Sequence, residues 1–265
     1  MMPGHEVSAI DGDTLLFMHL PKTGGTSLRS AVLQAYSDRE VGMVYGAGEL
    51  EGAMSREQFQ ALPAEELARF DLIVGHFPFG VHRRLPRPSR YVTVVRDPVD
   101  RVVSLYFHYR NLPGIRFGGK GHRERLRMRL RRTSLEDWVF EDRRLGVDNL
   151  MVRNIAGARG VPFGACTEAM FDEAMANIET HFAALLVTEE MDRSAHLLER
   201  IIGLPLPTVP RDNANPNRPP LKEMDRSALE RIHELNRFDA RVHEHARRWL
   251  DAATASPQRG EAPST

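Results

Sequence analysis

The sequence predicts an α/β fold, a doubly wound parallel sheet flanked by helices, with a second half that is mainly helical. Through the first half of the chain, short apolar runs of strand length alternate with segments whose apolar residues recur at helical spacing. In the second half helical spacing dominates, and one strand-like run remains. Because consecutive parallel strands need a crossover, which is usually a helix, this alternation indicates a parallel sheet covered on both faces.

The first half contains four strand-like runs. They are TLLFM at 14–18, VGMVYG at 41–46, DLIVGH at 71–76 and RYVTVV at 90–95. After the first run, residues 26–36 carry one apolar stripe and predict a helix. Ser55 and Gln58 form a capping-box pattern that opens another helical stretch, which Pro63 interrupts.

The fourth strand-like run is followed by a helix for which Asp97 is the predicted N-cap and Pro98 the first helical residue. Further helices are predicted near 133–141 and 148–156, at 167–182, before Gly203 and over about 225–252, with a strand at 184–189. We expect residues 1–252 to form a single domain, because no internal repeat or domain boundary is visible. The tail, 253–265, has few apolar residues and is predicted to be disordered.

The composition argues against several classes of function. The 36 Lys and Arg residues balance the 36 Asp and Glu residues, so no overall field attracts nucleic acid or a membrane surface. The single cysteine, Cys166, allows no intrachain disulfide and no cysteine-based metal cluster, and we expect it to be a small buried side chain. No apolar run has the length to cross a bilayer and no secretory signal is recognised, so we expect a cytoplasmic protein. The sequence predicts no oligomeric state.

The turn after the first strand, HLPKTGGTSL at 19–28, has the composition of an anion-binding site. A glycine-rich turn at a helix N-terminus presents unpaired backbone N–H groups and the positive end of the helix dipole. The residues that would surround the anion are Lys22, Thr23, Gly24, Gly25, Thr26 and Ser27. A plain tight turn would explain the glycines and one capping hydroxyl, but not the lysine and the other hydroxyls. We therefore interpret the turn as a phosphate or sulfate cradle, which makes the predicted fold P-loop-like.

The order of residues in this cradle differs from that of a Walker A loop. The Walker motif places its lysine after the glycines, whereas Lys22 precedes them. No aspartate at the end of an apolar strand is obviously placed to hold Mg²⁺. Both features disfavour an NTP-dependent kinase of small molecules, which stays an alternative.

The cradle resembles the 5′-phosphosulfate loop of sulfotransferases that use 3′-phosphoadenosine 5′-phosphosulfate (PAPS), in the group that includes heparan sulfate 2-O-sulfotransferase and many bacterial proteins with PKTGGTS. A second stretch, VTVVRDPVDRVVSLYFHYR, is similar to the 3′-phosphate element of that family, with Arg96 at the strand end and Ser104 in the following helix. About two helical turns separate the two residues, so both can reach one phosphate. Less specific similarity in VTEE at 187–190 and in N-x-x-D at 236–239 extends the resemblance over about 14–250.

The third element is LIVGHFPFG, in which His76 follows a strand. Open parallel sheets place ligands at the carboxyl ends of their strands. The resemblance implies that His76 is the general base, since the family's base lies in a similar GH after a strand. The family pattern carries another histidine two positions earlier, where this chain has Val74. We interpret His19 as a packing or supporting residue and His108 as a solvent or packing residue, with a cofactor contact open.

The resemblance implies in-line transfer of a sulfuryl group from PAPS to an acceptor hydroxyl, with Lys22 stabilising the leaving oxygen and no metal required. It favours a carbohydrate acceptor, while tyrosine and small-molecule hydroxyls stay open. The basic stretch 116–132 is either a solvated surface helix or a grip for an anionic glycan, and the loop at 205–220 occupies the place where the family closes over the nucleotide. A catalytically silent nucleotide- or glycan-binding module is the other alternative, and Val74 favours it.

Overall fold

The computed structural model describes residues 12–46, 49–111, 132–208 and 218–255. The strands of this part of the chain are β1 Thr14–Met18, β2 Val41–Val44, β3 Leu72–Gly75, β4 Ser89–Val95 and β5 Phe182–Val187. They form one sheet in the order β2-β3-β1-β4-β5, and every neighbouring pair is parallel. β1 is the central strand, with β3 and β2 on one side and β4 and β5 on the other, which confirms the predicted doubly wound parallel sheet.

The helices among the described residues cover the sheet and form most of the second half. They are α1 Gly25–Ala35, α2 Arg56–Ala61, α3 Ala64–Leu67, α4 Pro98–Asn111, α5 Leu135–Glu141, α6 Leu150–Ile155, α7 Glu168–His181, α8 Met191–Ile202, α9 Arg226–Leu235 and α10 Arg237–Ala255. Short 3₁₀ turns lie at Val81–Arg84, Leu145–Val147, Thr188–Glu190 and Leu221–Glu223. The mainly helical second half is thus confirmed for the described residues.

Local signals place several of these helix ends where the sequence predicts them. Ser55 and Gln58 form both bonds of the capping box, with Ser55 Oγ 3.2 Å from the Gln58 amide and Gln58 Oε1 2.7 Å from the Ser55 amide. Asp97 Oδ1 accepts from the Asp100 amide at 2.8 Å, which caps α4. Gly203 ends α8 with a φ of 66°, a left-handed conformation that glycine adopts without strain.

The prediction of one long terminal helix over 225–252 is wrong. Two helices, α9 and α10, are separated at Asn236, whose backbone leaves the helical region with φ −121° and ψ 28°. The buried Asn236 amide nitrogen donates to the carbonyls of Val147 and Ile232, each at 2.8 Å. Tertiary bonds to the turn before α6 therefore outweigh the continuous helical spacing of the sequence.

The described core consists of two groups of buried side chains. The larger surrounds the sheet, whose strands β1 and β3 are buried along their whole length, and it includes Cys166, which is buried as predicted. The smaller joins α4, α5 and α9 through residues such as Val102, Trp138 and Ile232. One face of α4 is thus held in this smaller core, which leaves the start of the helix beside the carboxyl end of the sheet.

Several sequence predictions fall on residues that the structure does not describe. The basic stretch 116–132 lies outside the described residues except for its last position, and most of the loop at 205–220, with Arg211, Asn213 and Asn215, lies outside them too. Helix α10 runs to Ala255, and the rest of the tail lies outside them. In the described ranges, every helix is too short or too polar to span a lipid bilayer.

Candidate functional site

The carboxyl ends of four neighbouring strands meet at one edge of the sheet. The cradle turn follows β1, His76 follows β3, Arg96 follows β4 and Thr188 follows β5. Backbone hydrogen bonds continue past the strand ends, since the His19 amide donates to Gly75 O at 2.9 Å. The parallel topology therefore brings the three predicted site elements together, although His76 and Arg96 follow Lys22 by 54 and 74 residues in the sequence.

The cradle is a tight turn with left-handed backbone at Lys22, φ 69°, and at Gly24, φ 70°. The Thr23 hydroxyl is fully buried and donates to Leu20 O at 2.9 Å, so it closes the turn. What Thr23 can offer an anion is therefore its main-chain amide. The hydroxyl of Thr26 is exposed at the mouth of the turn, and Ser27 is half-buried in the first turn of α1.

Thr188, which follows β5 at the same edge of the sheet, holds the cradle in place through its side chain. Its hydroxyl lies within hydrogen-bond distance of Thr23 O and, at 2.9 Å, of Val95 O, and can donate to one of them at a time. A Cβ at Gly24 would approach Thr188 Cγ2 to 2.9 Å, so only glycine allows this close contact. The sequence resemblance noted VTEE without assigning Thr188 a role.

A cavity of about 460 Å³ joins the cradle to the second predicted anion element. Its walls include Lys22, Gly24, Gly25 and Thr26 from the cradle, with Arg96, Ser104, Leu105, His108 and Tyr109 from the end of β4 and from α4. The volume lies within the usual range of small-molecule sites, roughly 300–1,000 Å³. Four of the six predicted cradle residues thus line one space with Arg96 and Ser104, whereas Thr23 and Ser27 are not part of this lining.

Lys22 and Arg96 lie close together within this cavity. Arg96 Nη1 donates to Lys22 O at 3.3 Å. Burial, followed by the nearby Arg96 charge, lowers the pKa of Lys22 below its usual value. Two cations held next to each other raise the local positive potential, which favours an anionic ligand.

Asp100 holds Arg96 in place. Arg96 Nε donates to Asp100 Oδ2 at 2.6 Å, and Arg218 pairs with the other carboxylate oxygen. Burial acts to raise the pKa of Asp100, but the two guanidinium groups outweigh it and hold that pKa below its usual range. Arg96 precedes the helix that contains Asp100, so helical spacing does not mark this pair, and the contact with Arg218 is purely tertiary.

His76 lies on a wall that this cavity shares with a second one of about 430 Å³. Both cavities are lined by His19, Pro21, Tyr45, Glu49 and His76. The second cavity is completed by Gly46, Ser55, Arg56, Glu57, Leu150 and Asn154. The predicted base therefore stands between the cradle cavity and a separate polar cavity.

The imidazole of His76 is in contact with a carboxylate. Its Nδ1 lies 3.3 Å from Glu49 Oε2, and Arg56 donates through Nε and Nη2 to the His76 carbonyl at 2.9 and 2.6 Å. Burial lowers the pKa of His76, and Glu49 counteracts only part of that effect. His76 is therefore a neutral imidazole at pH 7, which is the form that accepts a proton.

A second imidazole, that of His19, packs beside His76. Val74 is fully buried within β3, whereas the His19 ring lies 5.0 Å from the His76 ring, centroid to centroid. His19 Nδ1 lies 3.0 Å from the Tyr45 hydroxyl, and burial lowers the pKa of His19 to about 3. A buried neutral ring packed on His76 fits the predicted supporting role.

Sequence reasoning missed Tyr45, Glu49 and Arg56, which line the second cavity. Tyr45 and Glu49 come from the segment between β2 and α2, and Arg56 is the first residue of α2; no motif or spacing marks them. His108 is exposed and lines the cradle cavity. In the described ranges, no three His, Cys, Asp or Glu side chains group together as a metal site.

Comparison with known proteins adds little to this geometry. No family model matches the chain, and no curated protein is detectably similar to it. Among solved structures, the chain is similar to mouse sulfotransferase SULT7A1 complexed with PAP, at 14% identity, with a TM-score of 0.38, over 93% of this chain and 89% of the mouse chain. A likeness at that level assigns no activity, so the functional argument rests on the residues of this chain.

Proposed function

We propose that the protein is a PAPS-dependent sulfotransferase that acts on a hydroxyl of a carbohydrate. One observation carries the proposal. Lys22 and the cradle amides share a cavity with Arg96 and Ser104, and His76 stands on the wall between this cavity and a second one. Two anion-binding elements in one cavity suit a nucleotide with phosphate groups at both its 5′ and 3′ positions, and a second cavity leaves room for an acceptor.

The cradle residues would hold the 5′-phosphosulfate. Residues 23–27 form the turn and the first turn of α1, where free backbone amides and the helix dipole add positive potential, and Lys22 lines the same cavity. Arg96 and Ser104 would hold the 3′-phosphate, the group that distinguishes PAPS from ATP. When bound, PAPS supplies an activated sulfuryl group whose departure leaves adenosine 3′,5′-bisphosphate.

In the transfer step, His76 takes the proton of the acceptor hydroxyl as that oxygen attacks sulfur. Negative charge grows on the phosphate oxygen that leaves, and Lys22 lies in the cradle where it can stabilise this charge. Lys22 and the N-terminus of α1 supply positive charge at this point, as Mg²⁺ does in phosphoryl transfer. Both side chains are thus assigned catalytic roles.

The second cavity supports a carbohydrate acceptor. Its lining includes the side chains of Ser55, Arg56, Glu57 and Asn154, which offer both hydrogen-bond donors and acceptors. Pro21, Tyr45 and Leu150 add apolar surface, but most of the lining side chains are polar and can bond to the hydroxyls of a sugar. Its charged side chains are one arginine, Arg56, and two glutamates, Glu49 and Glu57, which suits a neutral hydroxyl-rich ligand better than a highly anionic one.

The first experiment tests the nucleotide and the transfer together. Calorimetry should show tighter binding of adenosine 3′,5′-bisphosphate than of ADP, because only the former reaches Arg96 and Ser104 with a 3′-phosphate. Incubation with ³⁵S-labelled PAPS and polysaccharides from the source organism should give labelled glycan. His76→Ala should slow this transfer about 10²- to 10⁴-fold, the contribution of a positioned general base, and leave nucleotide binding unchanged.

The matched control is His196→Ala, because His196 is exposed on α8 and lines neither cavity. This variant should transfer label at the wild-type rate. Equal affinity for ADP and adenosine 3′,5′-bisphosphate, together with ATP-dependent and Mg²⁺-dependent labelling of a small molecule, would overturn the proposal in favour of a kinase. Nucleotide binding without any labelled product would instead identify a silent binding module.

A further inference from the structure

Glu49 makes a specific contact with the proposed base. One carboxylate oxygen, Oε2, lies 3.3 Å from His76 Nδ1 and also accepts from the Gly46 amide at 3.0 Å. The side chains of His76 and Glu49 are 28% and 25% exposed, so the contact is half-buried. A carboxylate that is itself held by a backbone amide has little freedom to turn away from the imidazole.

The main chain of His76 is fixed on both sides. Its amide donates to Val44 O at 2.9 Å, and its carbonyl accepts the two bonds from Arg56. The orientation of the ring is therefore decided by its side-chain torsions and by what Nδ1 contacts. A carboxylate accepts only, so Nδ1 must carry the proton in this contact, and Nε2 keeps its lone pair.

Other ionisable groups surround the pair. Arg56 from α2 and Arg29 from α1 disfavour a protonated His76, and the neutral ring of His19 and the ring of Tyr45 pack against the imidazole. Glu49 acts in the opposite direction, because its negative charge favours the imidazolium. Loss of this charge would make proton uptake by His76 harder.

We propose that Glu49 is the positioning carboxylate of His76, holding its Nδ1–H tautomer and stabilising the imidazolium that forms during transfer. The inference rests on the proposed sulfuryl transfer. In that step the acceptor O–H bond breaks and its proton moves to Nε2, while the acceptor oxygen bonds to sulfur. The sulfur–oxygen bond to the phosphate breaks, and its electron pair leaves on the phosphate oxygen. Glu49 touches none of the reacting atoms and acts through the imidazole.

The test is Glu49→Gln, with Glu51→Gln as the matched control. Glu51 is exposed two positions along the same loop and lines neither cavity. We expect Glu49→Gln to lower kcat about 10- to 100-fold, part of the contribution of the base, with the KM for PAPS unchanged. The acidic limb of the pH–rate profile should move to lower pH, because removal of the negative charge lowers the pKa of His76. Glu51→Gln should match the wild type in both.

A second readout does not depend on activity. In ¹⁵N-histidine NMR, with the His76 signals identified by their loss in His76→Ala, the wild type should show the Nδ1–H tautomer at neutral pH. Glu49→Gln should titrate at lower pH than the wild type. If the wild type shows the Nε2–H tautomer, or if Glu49→Gln changes neither the titration nor the pH–rate profile, the inference is wrong even though His76→Ala abolishes transfer. If no acceptor is labelled, the proposed function is wrong, and the NMR titration still decides whether Glu49 controls His76.

Discussion

Two histidines show how position decides the chemistry of a side chain. His19 and His76 follow neighbouring strands and their rings lie 5.0 Å apart. Both line the two cavities, but His19 is 8% exposed and bonded to a neutral hydroxyl, so burial governs its pKa, whereas His76 faces a carboxylate. The two rings therefore divide into a supporting residue and a proposed base, because the carboxylate of Glu49 offsets part of the effect of burial on the pKa of His76 alone.

The buried His19 predicts a pH dependence of folding stability. Its pKa is about 3 in the folded state and about 6.5 in the unfolded chain, so the unfolded chain binds the extra proton between these values. This contribution to the free energy of unfolding is therefore fully present above pH 6.5 and is lost as the pH falls toward 3, by about 1.4 kcal/mol per pH unit.

Urea unfolding of the wild type and of His19→Gln, measured from pH 7 to pH 4, checks this prediction. The variant should show a shallower loss of stability on acidification, since glutamine does not titrate. His196→Gln, at an exposed position, should keep the wild-type slope. A wild-type slope in His19→Gln would mean that other groups account for acid unfolding.

At the scale of the elements, the contact between β2 and β3 leaves no room for a side chain at Gly75. Gly75 ends β3 directly before His76, and a Cβ at this position would lie 1.8 Å from the main-chain oxygen of Val44. A backbone atom of a sheet cannot move aside as a flexible side chain can. The sheet therefore requires glycine here, and the same close approach sets the position of the proposed base.

Gly75→Ala should accordingly destabilise the protein by about 3 kcal/mol or more, through overpacking between strands. Gly42→Ala is the matched control, because a Cβ there would meet only side-chain atoms of Phe70 and Ile73 at 3.4–3.5 Å. We expect the control to change stability by less than about 1 kcal/mol. Urea midpoints of the two variants give the comparison, and equal midpoints would contradict the argument.

At the level of the whole chain, α10 is tied to α6 and α4 by a buried charged residue. Asp239 is fully buried and accepts from the amides of Met151 and Val152 at 2.9 and 2.8 Å. Burial raises its pKa to about 6, while the buried guanidinium of Arg101 acts in the opposite direction. The N-x-x-D pattern of the last helix thus corresponds to a structural connection between distant parts of the chain.

Removal of this carboxylate should destabilise the protein strongly. Asp239→Ala leaves two buried amides without their acceptor and the Arg101 charge without its counter-charge, so we expect a loss of about 3–5 kcal/mol. Asp251→Ala is the control, since Asp251 is 65% exposed and its pair with Arg193 should contribute no more than about 1 kcal/mol. A midpoint for Asp239→Ala equal to that of the control would show that the buried network carries no net stability.

Most of the secondary structure could be predicted because its signals are local. β1 was predicted with its observed bounds, and Ser55, Asp97 and Gly203 act at helix ends as their residue types indicate. The terminal helix was predicted without its interruption, since the bonds that break it at Asn236 reach back to Val147. Propensity and periodicity carry no information about such partners.

For the candidate site, the sequence alone determined which polar residues follow which strands: a lysine and glycines after β1, a histidine after β3 and an arginine after β4. These motifs are short and contiguous, and parallel strands necessarily bring their carboxyl ends to one edge. Only the tertiary structure decided that Glu49, Arg56 and His19 surround His76, and that Thr188 anchors the cradle. These contacts join segments that are far apart in the chain, and the packing of the folded sheet and its helices selects them, because no local rule of spacing or propensity can.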